Sequence, residues 1–147
     1  MISRPLQAHC FEQEVCGLFL TVFSDNKQLV IKEISLAHLS TKDINDARKE
    51  ATFLKELTHP NIVSYEGCFE RNNRLNILME FCEGGDLAQR IKKQNGVLLD
   101  ETQVLDWFVQ VSLAVRYCHE KKILHRDIKT SNIFLHRYGR QVPVYKR

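Results

Sequence analysis

The sequence predicts an α+β fold, a small antiparallel sheet carrying one helix followed by a mostly α-helical part, and three observations predict it. Apolar, β-branched and aromatic runs separated by polar turns fill the first half in two pairs, and an amphipathic helical repeat lies between the pairs. Beyond Cys82 the apolar period becomes that of helices. The 147 residues are 44% hydrophobic and 27% charged, which suits a globular domain long enough to bury a core and excludes a disordered or fibrous chain.

Met1 to Cys16 carries Glu12 and Glu14 and no continuous apolar run, so it does not read as a signal peptide, and no later stretch reads as a membrane span. Leu18 to Phe23 and Gln28 to Ile34 are β-prone and flank Ser24-Asp25-Asn26-Lys27, which predicts a hairpin with Lys32 on its second strand. Ser40 and Asp43 have capping-box spacing. Ile44, Ala47, Ala51, Leu54 and Leu57 then recur at helical steps up to His59-Pro60, giving a helix with a defined start and stop. Ile62 to Phe69 and Leu75 to Phe81, separated by Glu70-Arg71-Asn72-Asn73, predict a second hairpin. Glu83-Gly84-Gly85 marks a boundary between two parts, after which Asp86 caps a short helix through Lys93 that Gly96 ends. Asp100 and Gln103 form another capping pair for a helix running to about His119. Its apolar stripe is Val104, Trp107, Phe108, Val111, Val115 and Cys118, with Trp107 and Phe108 assigned to core packing. Ile133-Phe134-Leu135 reads as a short buried strand.

The formal net charge of +3 is mild and its Lys and Arg residues are interleaved with acids, so nucleic acid is not implied as a partner. The 5 cysteines include no C-x-x-C pair, which suits reduced thiols in a cytoplasmic chain better than a disulfide frame or a zinc site.

His125-Arg126-Asp127-Ile128-Lys129-Thr130-Ser131-Asn132 carries the most specific chemistry. One carboxylate, one ammonium and one amide share a tight turn. Phosphoryl transfer needs positioned charge around the phosphates and a carboxylate oriented toward the attacking hydroxyl. Asp127 supplies that carboxylate, Lys129 could neutralise the moving phosphoryl, and the Asn132 side-chain carbonyl is a hard oxygen ligand for magnesium. The competing reading makes Asp127 and Asn132 turn residues and His125 a cap. Lys32 alone reads as a solvated edge residue. Glu50 alters that reading: at about 100° per residue it falls in the stripe of Ala47, Ala51 and Leu54, where a carboxylate wants a cation. A metal site built from His119, His125 and Asp127 fits no common ligand spacing.

With Lys32, Glu50, Met79-Glu80-Phe81-Cys82-Glu83-Gly84-Gly85-Asp86-Leu87 and His125 to Asn132 in order, the chain resembles a eukaryotic protein kinase, and in wording the NIMA-related serine/threonine kinases. Val30-Ile31-Lys32-Glu33-Ile34, His59-Pro60-Asn61-Ile62-Val63, Asp106-Trp107-Phe108-Val109-Gln110 and Ile123 to Leu135 share that likeness, which covers about Leu18 to Leu135. The resemblance implies ATP and Mg2+ as cofactors, with Ser or Thr of a protein substrate as acceptor. It implies an N-lobe over 17–82 and a partial C-lobe over 83–135, flanked by divergent segments 1–16 and 136–147. Lys32 paired with Glu50 would orient the α- and β-phosphates. Met79 would be the gatekeeper, Glu80 and Cys82 would offer backbone to adenine, and Val30 and Phe134 would pack above and below the purine. Nuclear or cytoskeletal placement is a further implication.

The pattern is incomplete in two places. Only Gly17 stands near the end of the expected G-x-G-x-x-G loop, and after Leu135 the sequence holds no D-F-G and no A-P-E. The expectation is a truncated kinase with little or no activity alone, whose uncovered helical stripe could meet a protein partner. A non-catalytic kinase-like interaction module is the alternative from a different class.

Overall fold

The computed structural model describes the backbone of residues 9–15, 18–22, 28–136 and 141–143, and the side chains of 28–136 other than Glu50. The chain divides into two units, Met1–Lys55 with Tyr65–Phe81 and Glu56–Ser64 with Cys82–Arg147.

The first unit is a five-stranded antiparallel sheet with one helix. Its strands are β1 (His9–Val15), β2 (Leu18–Val22), β3 (Gln28–Ser35), β4 (Tyr65–Arg71) and β5 (Arg74–Glu80), in the order β1-β2-β3-β5-β4. The first predicted hairpin is β2–β3, with Leu20 opposite Val30 and Phe19 opposite Ile31; its turn residues Ser24 to Lys27 lie outside the described residues. The opening segment, read from sequence only as divergent, supplies β1 against β2. An edge strand presents unpaired N–H and C=O groups that another extended segment can satisfy. β3 lies between β2 and β5, so Lys32 sits on an interior strand and the edge reading of this residue is corrected.

β5 is buried from Leu75 through Met79, with Ile77 fully enclosed. The hairpin from β4 to β5 turns on Asn72 and Asn73, at φ 50° and 58°, a left-handed conformation that asparagine tolerates better than most side chains. β4 starts at Tyr65, three residues later than the apolar run suggested. Ile62 and Val63 are buried in a turn instead of a strand, because the Asn61 N–H donates to His59 Nδ1 at 3.0 Å and the Ile62 N–H to the His59 carbonyl at 3.0 Å. α1 (Thr41–Glu56) begins where predicted: the Asp43 N–H donates to Ser40 Oγ at 3.2 Å while the Ser40 hydroxyl donates to Asp43 Oδ2 at 2.7 Å. It buries Ala47, Ala51 and Leu54.

The second unit contains α2 (Leu87–Lys93), α3 (Glu101–Glu120), a 3-10 turn over Thr130–Asn132 and a short ladder of β6 (Ile133–Leu135) with β7 (Gln141–Pro143). Both helices start on aspartate caps: Gln89 N–H donates to Asp86 Oδ1 at 2.8 Å and Gln103 N–H to Asp100 Oδ1 at 3.0 Å. Leu87, Trp107, Ile133 and Leu135 form a buried cluster joined by Leu99 and Val111. The predicted stripe of α3 is wider than its buried seam, which is Trp107, Ala114 and Cys118. Phe108 is 68% exposed and Val104 43%, so the assignment of Phe108 to the core is corrected. The helix carries apolar residues on more than one face, and a stripe read from sequence cannot tell which face is covered. Among the described residues no helix is long and apolar enough to cross a membrane.

Candidate functional site

The second unit gathers three of the residues singled out for chemistry. α3 ends at Glu120, Lys122 turns the chain at φ 61°, and the segment after it leads into the loop of His125 to Asn132. His125 is buried, and its Nδ1 accepts the Asp127 N–H at 3.3 Å, which leaves the ring proton on Nε2. Arg126 between them sits at φ 61°, a left-handed conformation that costs a non-glycine residue about 1 kcal/mol and is held only where surroundings enforce it.

This bend brings the Asp127 carboxylate between two partners. Lys129 Nζ lies 3.1 Å from Oδ1, and Asn132 Nδ2 donates to Oδ2 at 2.9 Å and to the Asp127 carbonyl at 2.8 Å. The 3-10 turn closes the loop through the Asn132 N–H, which donates to the Lys129 carbonyl at 2.9 Å. With its amide nitrogen committed twice, Asn132 has its side-chain oxygen left as the atom suited to a hard cation. Among the described residues no group of three or more His, Cys, Asp or Glu could hold a metal by itself. An ion here would take much of its coordination from elsewhere, as magnesium does from phosphate oxygens and water.

β6 anchors the loop from behind. The Gly84 N–H donates to the Leu135 carbonyl at 2.7 Å, the Leu135 N–H donates to the Gly85 carbonyl at 2.8 Å, and Phe134 bridges Asp86. Cys82 is buried and Phe134 half-buried in this same unit.

In the first unit the structure places Val30 opposite Met79 and Lys32 opposite Ile77, so Val30, Lys32, Ile77 and Met79 share one face of the sheet. Val30 and Met79 are buried, and Lys32 and Glu80 are half-buried. Glu50 lies on α1, but its side chain is outside the described residues. Sequence reasoning gave His125 no part beyond a cap in the competing reading, and gave none to the left-handed Arg126. Their contribution is a backbone conformation, and only the motif spacing signals it.

Comparison with known proteins fits this geometry. The protein kinase domain family matches residues 17–144. Over 115 residues, 78% of this chain, it is 50% identical to the serine/threonine-protein kinase Nek1 of Mus musculus, and over 116 residues, 79% of the chain, 49% identical to Nek5 of Homo sapiens. Nek11 of Homo sapiens is 43% identical over 129 residues, 81% of the chain. The matched regions span 10%, 16% and 20% of those relatives' own lengths.

Proposed function

The chain belongs to the protein kinase family, on its NIMA-related serine/threonine branch, and from that premise we propose that it is built for ATP-dependent phosphoryl transfer to Ser or Thr of a protein. The observation that carries this reading is the Asp127 carboxylate held between Lys129 at 3.1 Å and Asn132 at 2.9 Å. In it, Asp127 orients the acceptor hydroxyl and takes its proton as attack proceeds. Lys129 sets a positive charge beside that carboxylate, where negative charge on the transferred group needs offsetting. Asn132 offers its side-chain oxygen to magnesium, and Mg-ATP, when bound, supplies the phosphoryl group. Lys32, with Glu50 as its ion-pair partner, is the proposed contact for the α- and β-phosphates. Val30, Met79, Glu80, Cys82 and Phe134 form the proposed adenine site. We assign 17–82 to the N-lobe and 83–135 to the first part of the C-lobe. Cys68 and Cys118 are free thiols, in keeping with the reduced, cytoplasmic setting that the cysteine spacing suggests.

Thermal denaturation with and without Mg-ATP tests binding, because a ligand of the native state raises the midpoint by mass action. The expected result is a rise with the native sequence that is lost in Lys32→Ala. Transfer of labelled phosphate to a Ser/Thr peptide tests chemistry. Turnover by these 147 residues is expected to be weak, because the sequence holds no Asp-Phe-Gly carboxylate for the ion. Asp127→Ala should lower it by about 100-fold or more. Turnover indifferent to that change, with no response to Mg-ATP, would overturn the reading. A stable fold that ignores Mg-ATP favours the interaction-module alternative, which the exposed Leu105, Phe108 and Val109 on α3 support.

A further inference from the structure

His136 lies outside the phosphoryl-transfer residues, yet both of its ring nitrogens have partners. Nε2 is 3.9 Å from Cys82 Sγ and Nδ1 is 3.3 Å from Glu83 Oε2. These partners are 54 and 53 residues away in sequence, so the fold and not local chain geometry makes the cluster. Backbone pairing joins the two segments beside the cluster. The Gly84 N–H to Leu135 carbonyl bond and the Leu135 N–H to Gly85 carbonyl bond, 2.7 and 2.8 Å, tie together the residues next to Cys82 and Glu83 on one side and to His136 on the other.

Thiol, imidazole and carboxylate in that order are nucleophile, base and orienter. A carboxylate accepts and cannot donate, so Glu83 fixes the imidazole proton on Nδ1 and leaves Nε2 facing the sulfur as an acceptor. The sulfur contact is at the long end of hydrogen-bond reach, as such pairs often are before a reagent enters. The other described cysteines have no such arrangement: burial pushes the Cys118 thiol up, and Cys68 is exposed on β4. Cys82 is 6% exposed, which limits its reagent to a small one.

We propose that Cys82, His136 and Glu83 form a reactive-thiol site for small electrophiles of the peroxide class. The thiol proton passes to His136 Nε2, and the thiolate attacks one peroxide oxygen. The S–O bond forms as the O–O bond breaks, and the departing oxygen takes the proton from Nε2. Cys82 becomes a sulfenic acid, oxidised by two electrons, and hydrogen peroxide is reduced to water. This uses the Cys82 side chain, whereas the nucleotide reading uses its backbone, so the two fail separately.

The test is peroxide treatment of the full chain with dimedone trapping and peptide mass spectrometry, reading Cys82, Cys68 and Cys118 side by side from pH 5.5 to 9. Cys82 is expected to label faster than both others and to keep its rate below pH 7, whereas an ordinary thiol loses about tenfold per pH unit below about 8.5. His136→Asn should slow Cys82 by about tenfold at pH 7 and restore the ordinary thiol profile, and Glu83→Gln should slow it less. A Cys82 rate in the native sequence that simply tracks thiol ionisation near 8.5 overturns the proposal without recourse to any variant. So does labelling of Cys68 with none at Cys82, or a Cys82 rate that His136→Asn leaves unchanged in a protein of native circular dichroism.

Discussion

Asn132 is where residue chemistry and loop architecture coincide. Its amide nitrogen fixes both the backbone and the carboxylate of Asp127, and it is buried. Asn132→Ala removes both bonds, and leaving a partly buried carbonyl and carboxylate short of a donor costs about 1–3 kcal/mol. A drop of that size in urea-denaturation stability is expected together with loss of any Mg-ATP response; a variant as stable as the native chain would show that the amide does not hold this loop. His59 offers a pH test at the same scale. Its ring lies 5.0 Å from that of Tyr117, whose hydroxyl oxygen accepts the Thr58 N–H at 3.2 Å, and its Nδ1 accepts from Asn61. Burial pushes the His59 pKa below the ordinary histidine value, opposed in part by the Glu120 charge. The unfolded chain therefore binds the proton more tightly. This contribution to stability is complete above about pH 6.5, the unfolded value, and falls away as pH drops through the lower folded one. Melting temperatures between pH 7.5 and 5 should decline less steeply in His59→Asn than in the native chain.

At the scale of elements, β6 depends on close approach to Gly84. A Cβ at Gly84 would meet the Leu135 carbonyl oxygen at 2.5 Å and its Cβ at 2.8 Å. These are atoms of the strand itself and cannot swing aside, so Gly84→Ala must shift β6, at a cost of about 1–3 kcal/mol. Because β6 directly follows the 3-10 turn ending at Asn132, the same substitution is expected to weaken the Mg-ATP response; an unchanged melting midpoint would contradict the required approach. The start of α3 lies away from this contact. Asp100→Ala removes the acceptor for the Gln103 N–H and should lower stability by about 1 kcal/mol, measured by thermal or urea denaturation. Caps and turns were legible in the sequence because each is a local bargain between a side chain and a backbone group a few residues away. Ser40, Asp86, Asp100 and the Asn72-Asn73 turn all stand where their spacing put them. β1 and β7 were not legible, since each is defined by a strand it meets elsewhere in the chain.

For the molecule as a whole, the face of α3 opposite its buried seam is the main unmet demand. Leu105, Phe108 and Val109 are 55%, 68% and 54% exposed, and beside them an open groove of about 650 Å³ runs between Val111, Val115 and Ile128. Contiguous apolar surface of this kind favours association. The double substitution Leu105→Glu with Phe108→Lys is expected to reduce self-association in sedimentation velocity while changing stability by no more than about 1 kcal/mol, since neither side chain is enclosed. A large loss of stability would mean that the face is packed in solution. Family membership does not decide this point, because the relatives extend far beyond the matched region.

The sequence by itself determined the α+β class, the order of the predicted hairpins and helices, and the loop from His125 to Asn132, because these rest on periodicity, capping and spacing within short stretches of chain. The tertiary structure alone decided which face of α3 is covered, that Lys32 lies on an interior strand, and that His136 stands against Cys82 and Glu83. Each of those depends on which distant segments fill the space around a residue, and burial and long-range hydrogen bonding have no counterpart in local sequence.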